Sequence, residues 1–386
     1  MKIAFAADMS FSKFENFPGK DAAYAAMKEP AAVLAAADFS VVNLENILGD
    51  ESAYTPIVKS GPNLISADDF IAFVDALAPS AVGMANNHTF DYGKGAFDNT
   101  LRLLTERGYP CFGAGETLAD AYRPVVFEKD GTRVAIIAVC ENEFGTADED
   151  APGTAGYNLT YTTEAIRQAR ADGCLPIVYF HGGNERYAVA SPGKVALYRH
   201  FIDLGAAAVI AMHTHCPQGY EFYNGSPIVY SMGNFFFPAK WDMPKAWNYG
   251  YITELNIRAD GIALSIVPYI FDFDGVRLLD GEDKAHFLRY MDFLNAIIAD
   301  KRLVRDYFDA WSVMSGVGCY MEGLERVEDA ETVTQEQLIR TKNLFSCEAH
   351  NELMTNTFKI LYEGRLQAAK RYIPQIEALQ DMRIPE

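Results

Sequence analysis

The stretch AAAVIAMHTHCPQG, residues 206–219, joins an uninterrupted apolar run to two histidines one residue apart, His213 and His215. Continuous apolar runs of four to seven residues suit strands buried on both faces, as in a sheet covered by helices. If the strand continues through 213–215, the pleat sends both imidazoles to one face. Either the two histidines hold a metal ion together, or they are polar residues left at a strand end.

Working outward, the same pattern recurs. Candidate strands are Lys2–Ala6, Phe39–Asn43, Ala81–Met84, Arg133–Val139, Pro176–Phe180, Ala207–Ala211 and Pro227–Tyr230. Amphipathic helices lie between several of them. Phe97, Leu101 and Leu104 share a helical face ended by Gly108, and Val195, Tyr198 and Ile202 share one before Gly205. This alternation predicts an α/β fold with a parallel or mixed sheet. Residues 249–270 alternate in period two around Ala259-Asp260-Gly261, which predicts a hairpin. From about Asp280 the pattern turns helical: Phe287, Met291, Leu294 and Ile298 recur at helical spacing, as do Met354, Phe358 and Leu361. We therefore expect a domain over residues 1–275 and a helical region over 276–386 that caps it or joins copies into a homo-oligomer.

Composition narrows the partners. Fifty-two acidic against 33 basic residues give a net charge of −19, which opposes binding of a phosphate backbone, so no nucleic acid is expected. An anionic small molecule or peptide would need a local cation, and a bound metal supplies one. No run is long enough to span a bilayer and no secretory leader is recognisable, so the expected location is cytoplasmic. The six cysteines form no CxxC pair, as in a reduced protein. Cys216 is the one thiol beside the histidine pair, and a bystander role is expected for it.

Metal-binding residue types collect after the strands. Asp8 follows KIAFAA, Asn43 and Glu45 follow FSVV, Asn86-Asn87-His88 follow SAVGMA, His181 follows PIVYF, and His213 and His215 follow AAAVIAM. Taken singly, each has a bland explanation: a histidine after a strand is usually a hydrogen-bonded structural residue, Asn-Asn is a turn, and Asp8 caps a helix. The bland explanation has to be repeated five times at one end of a sheet, where loops of an open α/β sheet converge. Carboxylate, amide and imidazole donors without thiolate suit one or two divalent ions such as Mn, Zn or Fe, rather than a structural zinc.

The blocks AADMSF, VVNLEN, GMANNHTFDYG, YFHGGNE and VIAMHTHCPQGYEFYNGSPIVYSMGNFFF resemble, in order and spacing, those of the bacterial capsule-synthesis CapA family, associated with poly-γ-glutamate capsule biosynthesis. The resemblance spans roughly residues 1–270. It implies membership of the calcineurin-like metallophosphoesterase superfamily, with a four-layer αββα sandwich, here followed by a helical C-terminal extension. It further implies that Asp8 and His215 hold one metal, that Asn87, His181 and His213 hold another, and that Glu45 bridges them. His88 takes the place that touches the substrate's anionic group or protonates a leaving group, and Asp91 orients it. Asn234 completes the last block, in a structural or a catalytic role.

Departures from the family pattern matter. Ser10 stands where the superfamily has a histidine ligand, so the Asp8 side would be short of a donor. His181-Gly182-Gly183 replaces His-Trp-Gly, which predicts a roomier pocket. Arg186 and Glu185 are further candidates for anion contact and base. Glu141, Glu143 and the loop 148–150 follow a strand, and solvation is expected for them. Trp241 and Trp247 flank a loop that would wall a pocket, and Phe235–Phe237 are expected in the core. Three functions stay open: a metal-dependent hydrolase acting on a phosphoester or a glutamyl or peptide bond, a peptide epimerase using the same ligands, and a non-catalytic capsule-assembly protein with a weakened site.

Overall fold

The computed structural model describes residues 1–240, 243–324 and 331–385. Two sheets carry the fold. The first runs Gly275–Leu278, Gly261–Asp272, Tyr249–Arg258, Lys2–Met9, Phe39–Leu44, Ala81–Gly83, Cys111–Phe112, with Asn234–Phe236 pairing to the end of Lys2–Met9. The second runs Tyr220–Tyr223, Ser226–Val229, Ala208–Met212, Leu175–His181, Thr132–Cys140, Val125–Lys129. In the first sheet Lys2–Met9, Phe39–Leu44, Ala81–Gly83 and the edge strand Cys111–Phe112 run parallel and the three strands beyond Lys2–Met9 are antiparallel; in the second the four inner strands are parallel and both edge strands antiparallel.

The two sheets face each other across aromatic side chains. Phe39 stacks on Phe127 with ring centroids 4.5 Å apart, and Phe5 meets Tyr179 at 6.0 Å. The Tyr179 hydroxyl crosses the interface to donate to the Ala6 carbonyl at 3.2 Å, so its burial leaves no unpaired polar atom. Gly83 makes room for that ring: a Cβ there would lie 2.8 Å from Tyr179 Cε1. Helices including Lys28–Ala35 and Gly93–Glu106 cover the outer face of the first sheet, and Leu159–Ala171 and Pro192–Asp203 cover the second. This is the expected four-layer αββα sandwich, with a helical C-terminal extension beginning at Gly281.

Local rules account for the helices. Pro192–Asp203 starts with Ser191 accepting from the Lys194 N–H and with proline at its first position; it buries Val195, Tyr198 and Ile202. Gly205 then takes a φ of +105°, which stops it. The 258–261 hairpin forms as expected, but a third antiparallel strand, Gly275–Leu278, follows it. The short edge strands Val125–Lys129 and Tyr220–Tyr223 were invisible in the sequence, because edge strands exposed on one side lack a continuous apolar run. Of the apolar positions expected to share a face in the last long helix, Met354 is buried. Phe358 and Leu361 are exposed, and Leu353, Thr357 and Ile360 complete the buried stripe instead. Among the described residues no helix is long and apolar enough to cross a membrane.

The topology brings the carboxyl ends of the inner strands of both sheets to one edge. Asp8 pairs in register with Asn43 and Asn43 with Gly83, while His181 pairs with Met212 on one side and Cys140 on the other. Between Phe5 and Asp8 the register slips by one residue against Phe39–Leu44. Such a bulge re-aims the residues that follow it, here Asp8.

Candidate metal centre

The opening stretch folds differently from its simplest reading. The strand stops at Met212, and His213 and His215 lie beyond it with φ of +97° and +55°. The pleat therefore does not align the two imidazoles; a turn through left-handed backbone does, with ring centroids 5.9 Å apart. Non-glycine residues held in this region cost roughly 1–3 kcal/mol each and cluster at functional sites. The cost is offset by anchors. The His213 N–H donates to Asp8 Oδ2 at 2.9 Å, and His215 Nδ1 lies 2.7 Å from Asn234 Oδ1. Asn234 Nδ2 is fixed in turn on the Trp247 carbonyl, and Trp247 packs on the His215 ring at 4.5 Å. Asn234 thus orients His215 and leaves Nε2 to face the centre. Trp241 lies outside the described residues.

Glu45 sits in the middle, fully buried. Two trios of donor atoms, each within 4.8 Å of one another, share it: Glu45 with His181 and His213, and Glu45 with Asp8 and His215. His181 Nε2 lies 3.1 Å from Asn87 Oδ1, 3.0 Å from His213 Nδ1 and 3.5 Å from Glu45 Oε1. Asn43 Nδ2 donates to Asp8 Oδ1 at 2.7 Å, and Asn86 supports Asn43 from behind. Neither oxygen of Glu45 has a hydrogen-bond partner among the described residues. A buried carboxylate left without partners is costly unless a cation faces it, so the donor set fits a divalent ion.

The electrostatics agree. Burial opposes charge on His181, yet Glu45 and Asp8 raise its pKa to about 10. Burial and the neighbouring His181 push His213 down to about 3. Burial works to raise the Asp8 pKa, but His181 and His215 outweigh it and hold the carboxyl below its ordinary value. The Glu45 and Asp8 carboxylates thus favour positive charge at this position.

His88 stands on the rim. Its Nδ1 lies 2.6 Å from Asp91 Oδ2 and its Nε2 3.8 Å from Glu45 Oε1. Lys59, which no motif flagged, reaches Asp91 Oδ1 at 2.5 Å and the Asn87 carbonyl at 3.2 Å. Burial raises the Asp91 pKa, but His88 and Lys59 more than offset it, so the carboxyl sits below its usual value. Lys59, Asn87, His88, Glu143, Glu185 and His350 are among the residues lining a cavity of about 500 Å³ over the centre.

Several expectations need correcting. Glu141 and Glu143 are buried rather than solvated, whereas 148–150 are exposed. Glu143 Oε2 accepts from Asn87 Nδ2 at 2.7 Å, which turns the Asn87 carbonyl toward His181. Glu141 pairs with Lys194 and accepts from the Gly183 N–H at 2.8 Å. It also fills the space beside Gly182, where a Cβ would lie 2.5 Å from Glu141 Cγ; the missing aromatic wall is replaced, and the pocket is not roomier there. Ser10 Oγ turns away to Asn46 Oδ1 at 3.2 Å. Arg186 is exposed and Glu185 half-buried. The Cys216 thiol points at Thr214 and lies in neither trio. Phe235–Phe237 are buried as expected.

The profile of the bacterial capsule synthesis protein PGA_cap family matches residues 4–239. The chain belongs to that family. It is 27% identical over 213 residues to the capsule biosynthesis protein CapA of Bacillus anthracis, covering 53% of this chain and 51% of that protein. It is 31% identical over 180 residues to a probable polyglutamine synthesis accessory protein of Mycobacterium tuberculosis, covering 43% of this chain and 47% of the relative. The chain thus spans about half the length of the curated relatives it matches. The Thermus thermophilus protein TT1561 aligns over 69% of this chain and 98% of its own, with 12% identity and a TM-score of 0.36, too distant a likeness to add to the fold.

Proposed function

We propose that this PGA_cap chain is a metal-dependent hydrolase that cleaves a phosphoester or a glutamyl or peptide bond in an anionic, peptide-like or small-molecule substrate of poly-γ-glutamate capsule biosynthesis. Asp8 and His215 hold one ion, Asn87, His181 and His213 hold a second, and Glu45 lies between them. The single observation that carries this reading is Glu45, buried with neither oxygen hydrogen-bonded among the described residues and facing nitrogen and oxygen ligand atoms from both sheets. Bound there, a divalent ion such as Mn, Zn or Fe supplies Lewis acidity and lowers the pKa of water.

The chain's own residues supply the rest. Asn43, Asn86 and Asn234 hold Asp8 and His215 in place, and Glu143 holds Asn87. Asp91 accepts from His88 Nδ1 and supports the doubly protonated ring, in which the Nε2–H on the Glu45 side can bind the anionic group or pass its proton to the leaving atom. Lys59 keeps Asp91 ionised beside it. Residues 1–275 carry every proposed ligand of the centre at Glu45, and 276–386 cover one side of the crevice through Glu348 and Glu352, which accept from Asn142, Ser191 and Gly193.

Ser10 favours one further reading. With its hydroxyl turned to Asn46, the Asp8–His215 side offers fewer donors and binds its ion more weakly. A chain holding metal on one side alone would serve capsule assembly without turnover. Metal analysis of purified protein with assays on phosphodiester, phosphomonoester and glutamyl-peptide substrates tests both. The hydrolase reading expects turnover after Mn or Zn addition, and metal-loaded protein inert on all three would overturn it.

A further inference from the structure

The helical extension brings its own chemistry to the crevice. Cys347 closes the helix Gln335–Ser346 and opens the helix Glu348–Tyr362; His350 lies one turn on. The Cys347 Sγ is 3.7 Å and the His350 Nε2 3.5 Å from the same atom, Glu143 Oε1. The other Glu143 oxygen is occupied by Asn87. At 3.5 Å the imidazole is too far for a good hydrogen bond. These separations match the edges of a tetrahedron around zinc, roughly 3.3–3.7 Å for sulfur, nitrogen and oxygen ligands at ordinary bond lengths. The three donor atoms lie within 4.8 Å of one another, and Cys347 is fully buried.

We propose that Glu143, Cys347 and His350 form a separate zinc-type site, with its fourth position open to the cavity for water or an anionic group of a ligand. Thiolate, imidazole and carboxylate together suit a borderline ion better than a hard one. Burial and the carboxylates of Glu141 and Glu143 push the free thiol well above its usual pKa, so ion binding releases its proton. His350 is held on its other face by the Tyr320 ring at 4.9 Å. Through Glu143 the site joins the helical extension to Asn87, tying the cap to the centre below. It does not depend on that centre being catalytic.

Cobalt distinguishes the two sites, because none of the six proposed ligands at the Glu45 centre is a thiol. Titrating Co²⁺ into metal-free full-length protein should produce a thiolate-to-cobalt charge-transfer band in the near ultraviolet. The band should persist in Cys216→Ser and Cys319→Ser and vanish in Cys347→Ser, whose bound metal should fall by about one equivalent per chain. Circular dichroism and manganese uptake at the Glu45 centre check that the variant is folded. His350→Ala, which keeps the thiol, should weaken cobalt binding at this band at least tenfold. Cobalt bound without the band, or a band that survives Cys347→Ser, would overturn the proposal while leaving the Glu45 centre untouched.

Discussion

The two halves of the centre around Glu45 are built from the same kind of strand ends and are not equal. On one side Asn87 Oδ1 and His213 Nδ1 lie 3.1 and 3.0 Å from the His181 Nε2, and Glu143 holds the amide in place. On the other, Asp8 and His215 stand without the donor that Ser10 gives up to Asn46. The two halves share one frame while separate loops supply their donors, so the two proposed positions are expected to differ in affinity.

The largest effect should come from the residue the halves share. Glu45→Gln removes the shared charge, and metal analysis should find both positions emptied; retention of either would break the bridging assignment. Next, single-side changes should separate the halves: His213→Ala should empty the tight position, whereas His215→Ala should spare it. Metal content unchanged in His213→Ala would contradict the ligand set.

Lys59→Met leaves Asp91 buried without its cation, which should cost about 3–5 kcal/mol in denaturant unfolding. Asp91 has a lowered folded pKa, so its contribution to stability is present above the unfolded value of about 3.9 and is lost as pH falls through the folded value. In Lys59→Met that acid loss should begin at higher pH. An unchanged acid unfolding curve would show that Lys59 does not hold Asp91. Smallest, Asn234→Ala frees the His215 ring and should weaken the Asp8 side by about 10–100-fold, with the other side unmoved.

Much of this was legible in the sequence. Seven apolar runs marked the inner strands, since burial on both faces leaves a continuous signature. The residues gathered around Glu45 could be read because they follow those runs. What escaped reading lay elsewhere. Lys59 sits in the polar loop PIVKSGPNL with no periodicity near it. Glu143 looked like one more solvated acid, and Cys347 and His350 are an ordinary helix start until the fold brings them over the crevice. The left-handed turn at His213 and His215 was hidden as well, because the signal for a strand end does not say how the chain leaves it.

The most direct test is a manganese titration of metal-free protein followed by paramagnetic resonance, since manganese is a hard ion that avoids the thiolate at Cys347. Two steps are expected, a tight one that survives His215→Ala and a weaker one that disappears in it. Two equal steps, no uptake, or loss of the tight step in His215→Ala would contradict it.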